Sequence, residues 1–107
     1  MKIFKGVLLI GCLIAGCERR AADIYPEVTP MPPELAQKCE YLAIGERAID
    51  AQKPGYKAAN PDERLIAEPR EDKVDVYYQL PQADVGGSGH AIIDPATCKV
   101  IKVFFDE

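Results

Sequence analysis

The chain has 107 residues, a formal charge of −4, one histidine and no tryptophan. That length fits one domain. Its acid excess argues against nucleic acid and anionic lipid headgroups as partners and is compatible with a basic protein partner. No set of residues forms a catalytic signature, so the chain is expected to be non-enzymatic.

At the N-terminus, Lys2 and Lys5 precede an apolar run from Val7 to Ile14, followed by Ala15, Gly16 and Cys17. A basic start, an apolar middle and small residues before a cut are the marks of a secretory signal. The run is far shorter than the ~20 residues a membrane-spanning helix needs. The stretch Ile14-Ala15-Gly16-Cys17 resembles the lipobox of bacterial lipoproteins. That resemblance implies removal of residues 1–16 and acylation of Cys17. Loss of Lys2 and Lys5 would take the formal charge from −4 to −6. One acyl chain anchors only marginally, whereas several on one cysteine hold firmly. A rival, Leu9-Ile10-Gly11-Cys12, leaves too short an apolar region for a signal. The expected location is the periplasmic side of a Gram-negative envelope. Glu18 in place of aspartate points to the outer membrane.

Residues 17–33 read as the acylated cysteine and a tether. Pro26, Pro30, Pro32 and Pro33 remove amide donors and favour extended backbone. Residues 34–107 form the expected domain. The spacing predicts one helix over 33–52, with Pro33 and Glu34 in its first turn and Lys53-Pro54-Gly55 ending it. Leu35, Cys39, Leu42 and Ile49 share one face, which Tyr41, Gly45 and Ala48 widen. Gly45 marks close packing, and Glu46 lies at the edge of the stripe, reaching water. Residues 54–62 read as a loop, Arg64 to Glu68 as a short strand and Pro69 to Asp72 as a turn.

Residues 73–80 alternate with period two, with Val74, Val76, Tyr78 and Leu80 on one face and Asp75, Tyr77 and Gln79 on the other. A glycine-rich connection over 84–89 follows; it lacks the lysine and helix of a phosphate loop. His90 to Asp94 and Lys99 to Phe105 form a strand pair joined by Asp94-Pro95-Ala96-Thr97. The expected fold is α+β, one main helix packed on a three- to four-stranded antiparallel sheet. Tyr77, Ile92, Val100 and Phe104 are assigned to the second sheet face beside His90 and Lys102. So apolar a face is covered by the tether, by a second chain, or by a docked partner.

With Cys12 removed and Cys17 acylated, Cys39 and Cys98 remain. In an oxidising compartment they read as a disulfide, with free or metal-binding thiols, or a redox pair without C-x-x-C spacing, as alternatives. Ser88 and His90 are the only serine and histidine. Two residues apart, they are expected to lack the geometry for proton transfer. His90, Asp94 and Cys98 have no recognised metal-site spacing, so neither metal nor cofactor is expected. Tyr56, Tyr77 and Tyr78 are candidate interface anchors, with Tyr78 assigned to the core.

Several segments carry a further resemblance: Ala43-Ile44, Ala48-Ile49, Pro54-Gly55-Tyr56, Val74-Asp75-Val76-Tyr77, Gly86-Gly87, and Ile92-Ile93-Asp94-Pro95-Ala96-Thr97 with Lys99-Val100-Ile101-Lys102-Val103. From Tyr41 onward the chain resembles small immunity proteins of the nuclear-transport-factor-2-like (cystatin-like) fold, and is also similar to PepSY domains. Cys98 stands where the pattern has glycine, a turn position that favours positive φ, and the pattern's tryptophan is absent. The resemblance implies an inhibitor that neutralises a periplasmic toxin or hydrolase. Tyr77, Gly86, Gly87, His90 and Phe104 would touch the partner. The alternative is a structural or accessory lipoprotein of an envelope or secretion assembly, with homodimerisation open in either case.

Overall fold

The computed structural model describes residues 25–81 and 86–106. The signal segment, Cys17, the first part of the tether and residues 82–85 of the glycine-rich connection lie outside the described residues. Three helices, α1 (Pro33–Ala36), α2 (Tyr41–Gln52) and α3 (Tyr56–Ala59), pack with four strands, β1 (Arg64–Arg70), β2 (Lys73–Gln79), β3 (Gly89–Asp94) and β4 (Lys99–Phe105). The strands form one antiparallel meander in the order β1-β2-β3-β4. The expected α+β architecture is therefore present.

The single helix expected over 33–52 is two. Its corner falls at residues 37–40, which contain neither proline nor glycine. Tertiary bonds fix it: Cys39 is disulfide-bonded to Cys98, and the Tyr41 hydroxyl donates to the Leu35 carbonyl at 2.8 Å. Tertiary ties of this kind override helix propensity. The break shifts the phase of the helical stripe. Tyr41, Gly45 and Ile49 face the sheet, while Leu42, expected on that face, is 47% exposed. Gly45 lets the helix come close, because a Cβ there would lie 2.6 Å from Val76 Cβ. Glu46 reaches water and pairs with Lys57 at 3.4 Å. Residues 56–59 of the expected loop form the turn of α3, and β1 runs through Pro69 and Arg70, so only Glu71 and Asp72 make the first hairpin turn.

The helix-facing side of the sheet is apolar row by row. Ala67, Val76, Ala91 and Val103 align across all four strands, as do Pro69, Val74, Ile93 and Val100. Val74, Val76, Ala91 and Ile93 are fully buried there with Ile49. Val100, expected on the second face, packs into this core instead. The register shifts between Ile92 and Ile93, pairing Ile92 with Lys102 and Ile93 with Val100. One extra residue, Ile101, is thereby turned outward and is 52% exposed. A β-bulge has this effect on side-chain alternation.

Cys39 and Cys98 are bonded, with Cα atoms 5.6 Å apart. The bond joins the corner before α2 to the β3–β4 turn. Cys98 has φ 62°, the left-handed conformation expected where the resembling pattern has glycine. Asp94 organises that turn, accepting the Ala96 amide on its side chain and the Cys98 amide on its carbonyl. No helix of the described residues is long and apolar enough to cross a membrane.

Candidate functional site

Strand register places the site on the face turned away from α2. Ile66, Tyr77, His90 and Phe104 form one cross-strand row, and Glu68, Asp75, Ile92 and Lys102 form the next. Direct cross-strand neighbours lie close enough to stack. The His90 ring is accordingly sandwiched between Tyr77 (centroids 4.9 Å apart) and Phe104 (4.6 Å), nearly parallel to both. Lys102 caps the stack over Phe104 at 5.0 Å.

Hydrogen bonds run through the same rows. His90 Nδ1 meets Asp75 Oδ1 at 3.0 Å, and Nε2 meets Asp106 Oδ2 at 3.1 Å and Ser88 Oγ at 3.2 Å. Arg70 bridges Asp75 and Glu68 at 3.2 and 3.0 Å. The Tyr77 hydroxyl donates to Glu68 at 3.0 Å. Asp75 is 3% exposed, so its charge requires these partners. Among the described residues no buried side-chain nitrogen or oxygen lacks a partner.

The segment read as a tether reaches this face. Gln79 donates to the Pro26 carbonyl, the Thr29 amide donates to Glu68 at 2.8 Å, and the Tyr25 hydroxyl donates to the Asp62 carbonyl. It then rounds the β1 edge, so that Met31 packs against the core beneath α2. The β1–β2 side of the outer face is thus strapped by residues 25–29. Beside the strap lies a cleft of about 450 Å³ lined by Glu27, Glu68, Tyr77, Gly86, Ser88 and His90, among others, with Asp106 at its edge.

These contacts set the charge states. Burial alone would lower the His90 pKa, but the hydrogen bond and charge of Asp75, followed by Asp106, outweigh it, and the value is raised. Burial would raise Glu68, yet the Thr29 amide, the Tyr77 hydroxyl and the Arg70 charge hold it below the ordinary carboxylate value. Burial and the Glu68 hydrogen bond push Tyr77 up to about 12, which keeps its hydroxyl a donor.

Ser88 and His90 are brought within hydrogen-bond reach, contrary to expectation. The reason is that Ser88 precedes β3 and is pulled inward: its amide donates to Asp106 Oδ1 at 2.7 Å and its carbonyl accepts the Asp106 amide at 3.1 Å. Asp75 on Nδ1 completes the contact order of a serine–histidine–aspartate relay. Two features oppose nucleophilic use of Ser88 in this state. With carboxylates on both nitrogens, His90 favours the doubly protonated form, which cannot accept the serine proton. The nearest amides are also committed, Ser88 to Asp106 and Gly89 to the Tyr56 hydroxyl at 3.0 Å, leaving neither to stabilise an oxyanion.

Of the sequence-assigned contact residues, Tyr77, His90 and Phe104 share one row and Gly86 lines the cleft beside Tyr77 and His90, whereas Gly87 lines a separate hollow with Lys53, Tyr56 and Phe105. Gly86 has φ 133°, a conformation that favours glycine. Tyr56, expected as an anchor, is instead core: it is 6% exposed, stacks near Tyr78 and Phe105, and donates to Glu63. In the grouping of His90, Asp94 and Cys98, set aside for its spacing, the Cys98 sulfur is bonded to Cys39. Among the described residues no group of three histidine, cysteine, aspartate or glutamate side chains is arranged to hold a metal ion. Sequence reasoning missed Asp75, Arg70, Glu68 and Asp106 as site residues. The alternation of β2 put Asp75 beside Tyr77, which was the available signal; the long-range partners had none. No family model, curated protein or solved structure matches the chain.

Proposed function

We propose that this protein is a non-enzymatic binding module on a lipid anchor at Cys17, on the periplasmic side of the envelope. It neutralises a protein toxin or hydrolase by contact. The observation that carries this reading is the aromatic row Tyr77–His90–Phe104, with Gly86 in the cleft beside it. Tyr77 and Phe104 are only half-buried, and the residue 25–29 strap leaves the β3–β4 side of the row uncovered. Partly exposed aromatic side chains held rigid by stacking are good anchors for a protein partner. The committed Ser88 and Gly89 amides support a binding role over hydrolysis.

The test uses the full chain, extracted from native envelopes in mild detergent and captured with its partners. A single soluble enzyme at fixed stoichiometry is expected, bound at least tenfold more weakly by Phe104→Asp or Tyr77→Ala. Affinity unchanged in both variants would overturn the site. The β4 edge, with Ile101 exposed and, among the described residues, no strand pairing beyond β3, favours a second reading as an accessory of a larger envelope assembly. Recovery of several envelope subunits with the chain would favour that reading.

A further inference from the structure

The His90 side chain joins two parts of the chain that have no strand pairing between them. One nitrogen holds Asp75 in the sheet, and the other holds Asp106, which in turn holds the Ser88 amide. Both ring nitrogens face carboxylate oxygen, so both must donate for every contact to be attractive. The ring cannot turn away, because Tyr77 and Phe104 stack on its two faces. Asp75 is buried and fixed further by Arg70, whereas the Asp106 side chain is 54% exposed and free to swing into water.

We infer that His90 is a proton-operated clasp on the 86–88 loop: closed while its ring carries both protons, and released when it loses one. This inference rests on the reading of that loop and row as the docking surface. The charged and titratable groups facing the ring are Glu68 and Arg70 from β1, Asp75 and Tyr77 from β2, Lys102 from β4, and Asp106; Glu27 stands at the cleft wall. Asp75 is buried and cannot leave for water, whereas Asp106 can, so the proton retained by a neutral ring stays on Nδ1. The proton lost to solvent is therefore the one on Nε2. A lone pair there would face the Asp106 carboxylate at 3.1 Å, and the repulsion expels Asp106. The Ser88 hydroxyl then donates to Nε2 in its place. The Ser88 amide loses its charged acceptor, and the loop is left with the weaker ties of the Asp106 amide to the Ser88 carbonyl and of the Ser88 hydroxyl to His90.

The experiment is an NMR titration of the full chain in detergent micelles, without partner, between about pH 5 and 9. It follows the His90 ring and the backbone amides of Ser88 and Asp106. A single midpoint above the ordinary histidine value of about 6.5 is expected for all three. Ser88 amide exchange, corrected for its intrinsic pH dependence, should be about tenfold faster above it. A Ser88 amide that does not follow the His90 titration overturns the clasp. Asp106→Asn provides the second readout. An asparagine has one acceptor oxygen: turned to a protonated Nε2 it leaves the Ser88 amide facing its NH2 group, and donating to a neutral Nε2 it offers that oxygen to the Ser88 amide, so its Ser88 step should reverse sign; a step of unchanged sign overturns the inference. The two ideas fail separately. A Ser88 step with partner affinity indifferent to Phe104→Asp leaves the clasp and removes the docking reading. Partner affinity that depends on Phe104 but is equal on both sides of the midpoint removes the clasp's role in docking.

Discussion

The two faces of this sheet are built from the same four strands and held together by different physics. Toward α2, fully buried aliphatic side chains align in rows. Their stabilisation grows with the area removed from water and is insensitive to small changes in geometry or pH. Away from α2, the same strands carry a ladder of aromatic rings threaded by Arg70, Asp75, His90 and Asp106. That face depends on each donor meeting its acceptor, and on one proton. Adjacent residues on one strand can therefore answer to different variables.

The largest effect should come from the bond that pins the helical layer to the far hairpin. Replacing Cys39 and Cys98 by serine should lower stability by about 4 kcal/mol in the chain-entropy picture, read as a lower urea midpoint. Next, Ile93 and Ile92 are neighbours on opposite faces. Ile93→Ala should cost about 3 kcal/mol and Ile92→Ala about 1 kcal/mol by urea denaturation; equal losses would erase the distinction between the faces. Asp75→Asn keeps the shape but removes the charge from Arg70 and His90, and should cost about 2 kcal/mol near neutral pH.

The smallest effect is the most diagnostic. The His90 pKa is raised, so its contribution is complete below the ordinary histidine value and is lost as pH rises through the folded value. The Glu68 pKa is lowered, so its contribution is present above the ordinary carboxylate value and is lost as pH falls through the folded value. Stability, followed through the thermal midpoint, should therefore peak on the mildly acidic to neutral side and decline by about 1 kcal/mol or less toward alkaline pH, given the exposure of Asp106. Asp75→Asn should flatten that alkaline decline, while Ile93→Ala should leave the profile's shape unchanged.

The apolar face was largely legible in the sequence. Alternation over 73–80 set the strand and both its faces, and Gly45 announced the close approach that Val76 confirms. The pairing of Cys39 with Cys98 followed from counting cysteines. What the pattern could not carry was long-range. The helix corner at 37–40 is made by a disulfide and by the Tyr41 hydroxyl, neither of which alters local periodicity. Val100 was misassigned because a strict period of two breaks at the bulge opposite Ile92 and Ile93. Asp106 follows the last strand, and only the folded chain brings it to Ser88 and His90.

The disulfide has a mechanical consequence. Residues 39–98 form a closed covalent ring containing α2, α3 and the first three strands, while α1 and β4 lie on the two tails. Force applied through the tails passes across one bond between sulfur atoms and never draws out the ring. About 200 Å of contour length is thereby locked away from extension. In a single-molecule pulling experiment the oxidised chain should lengthen by its tails alone, and a reductant should release the hidden length in one further step. Under load, most of the sheet and its principal helix remain a fixed link while the β4 edge yields first.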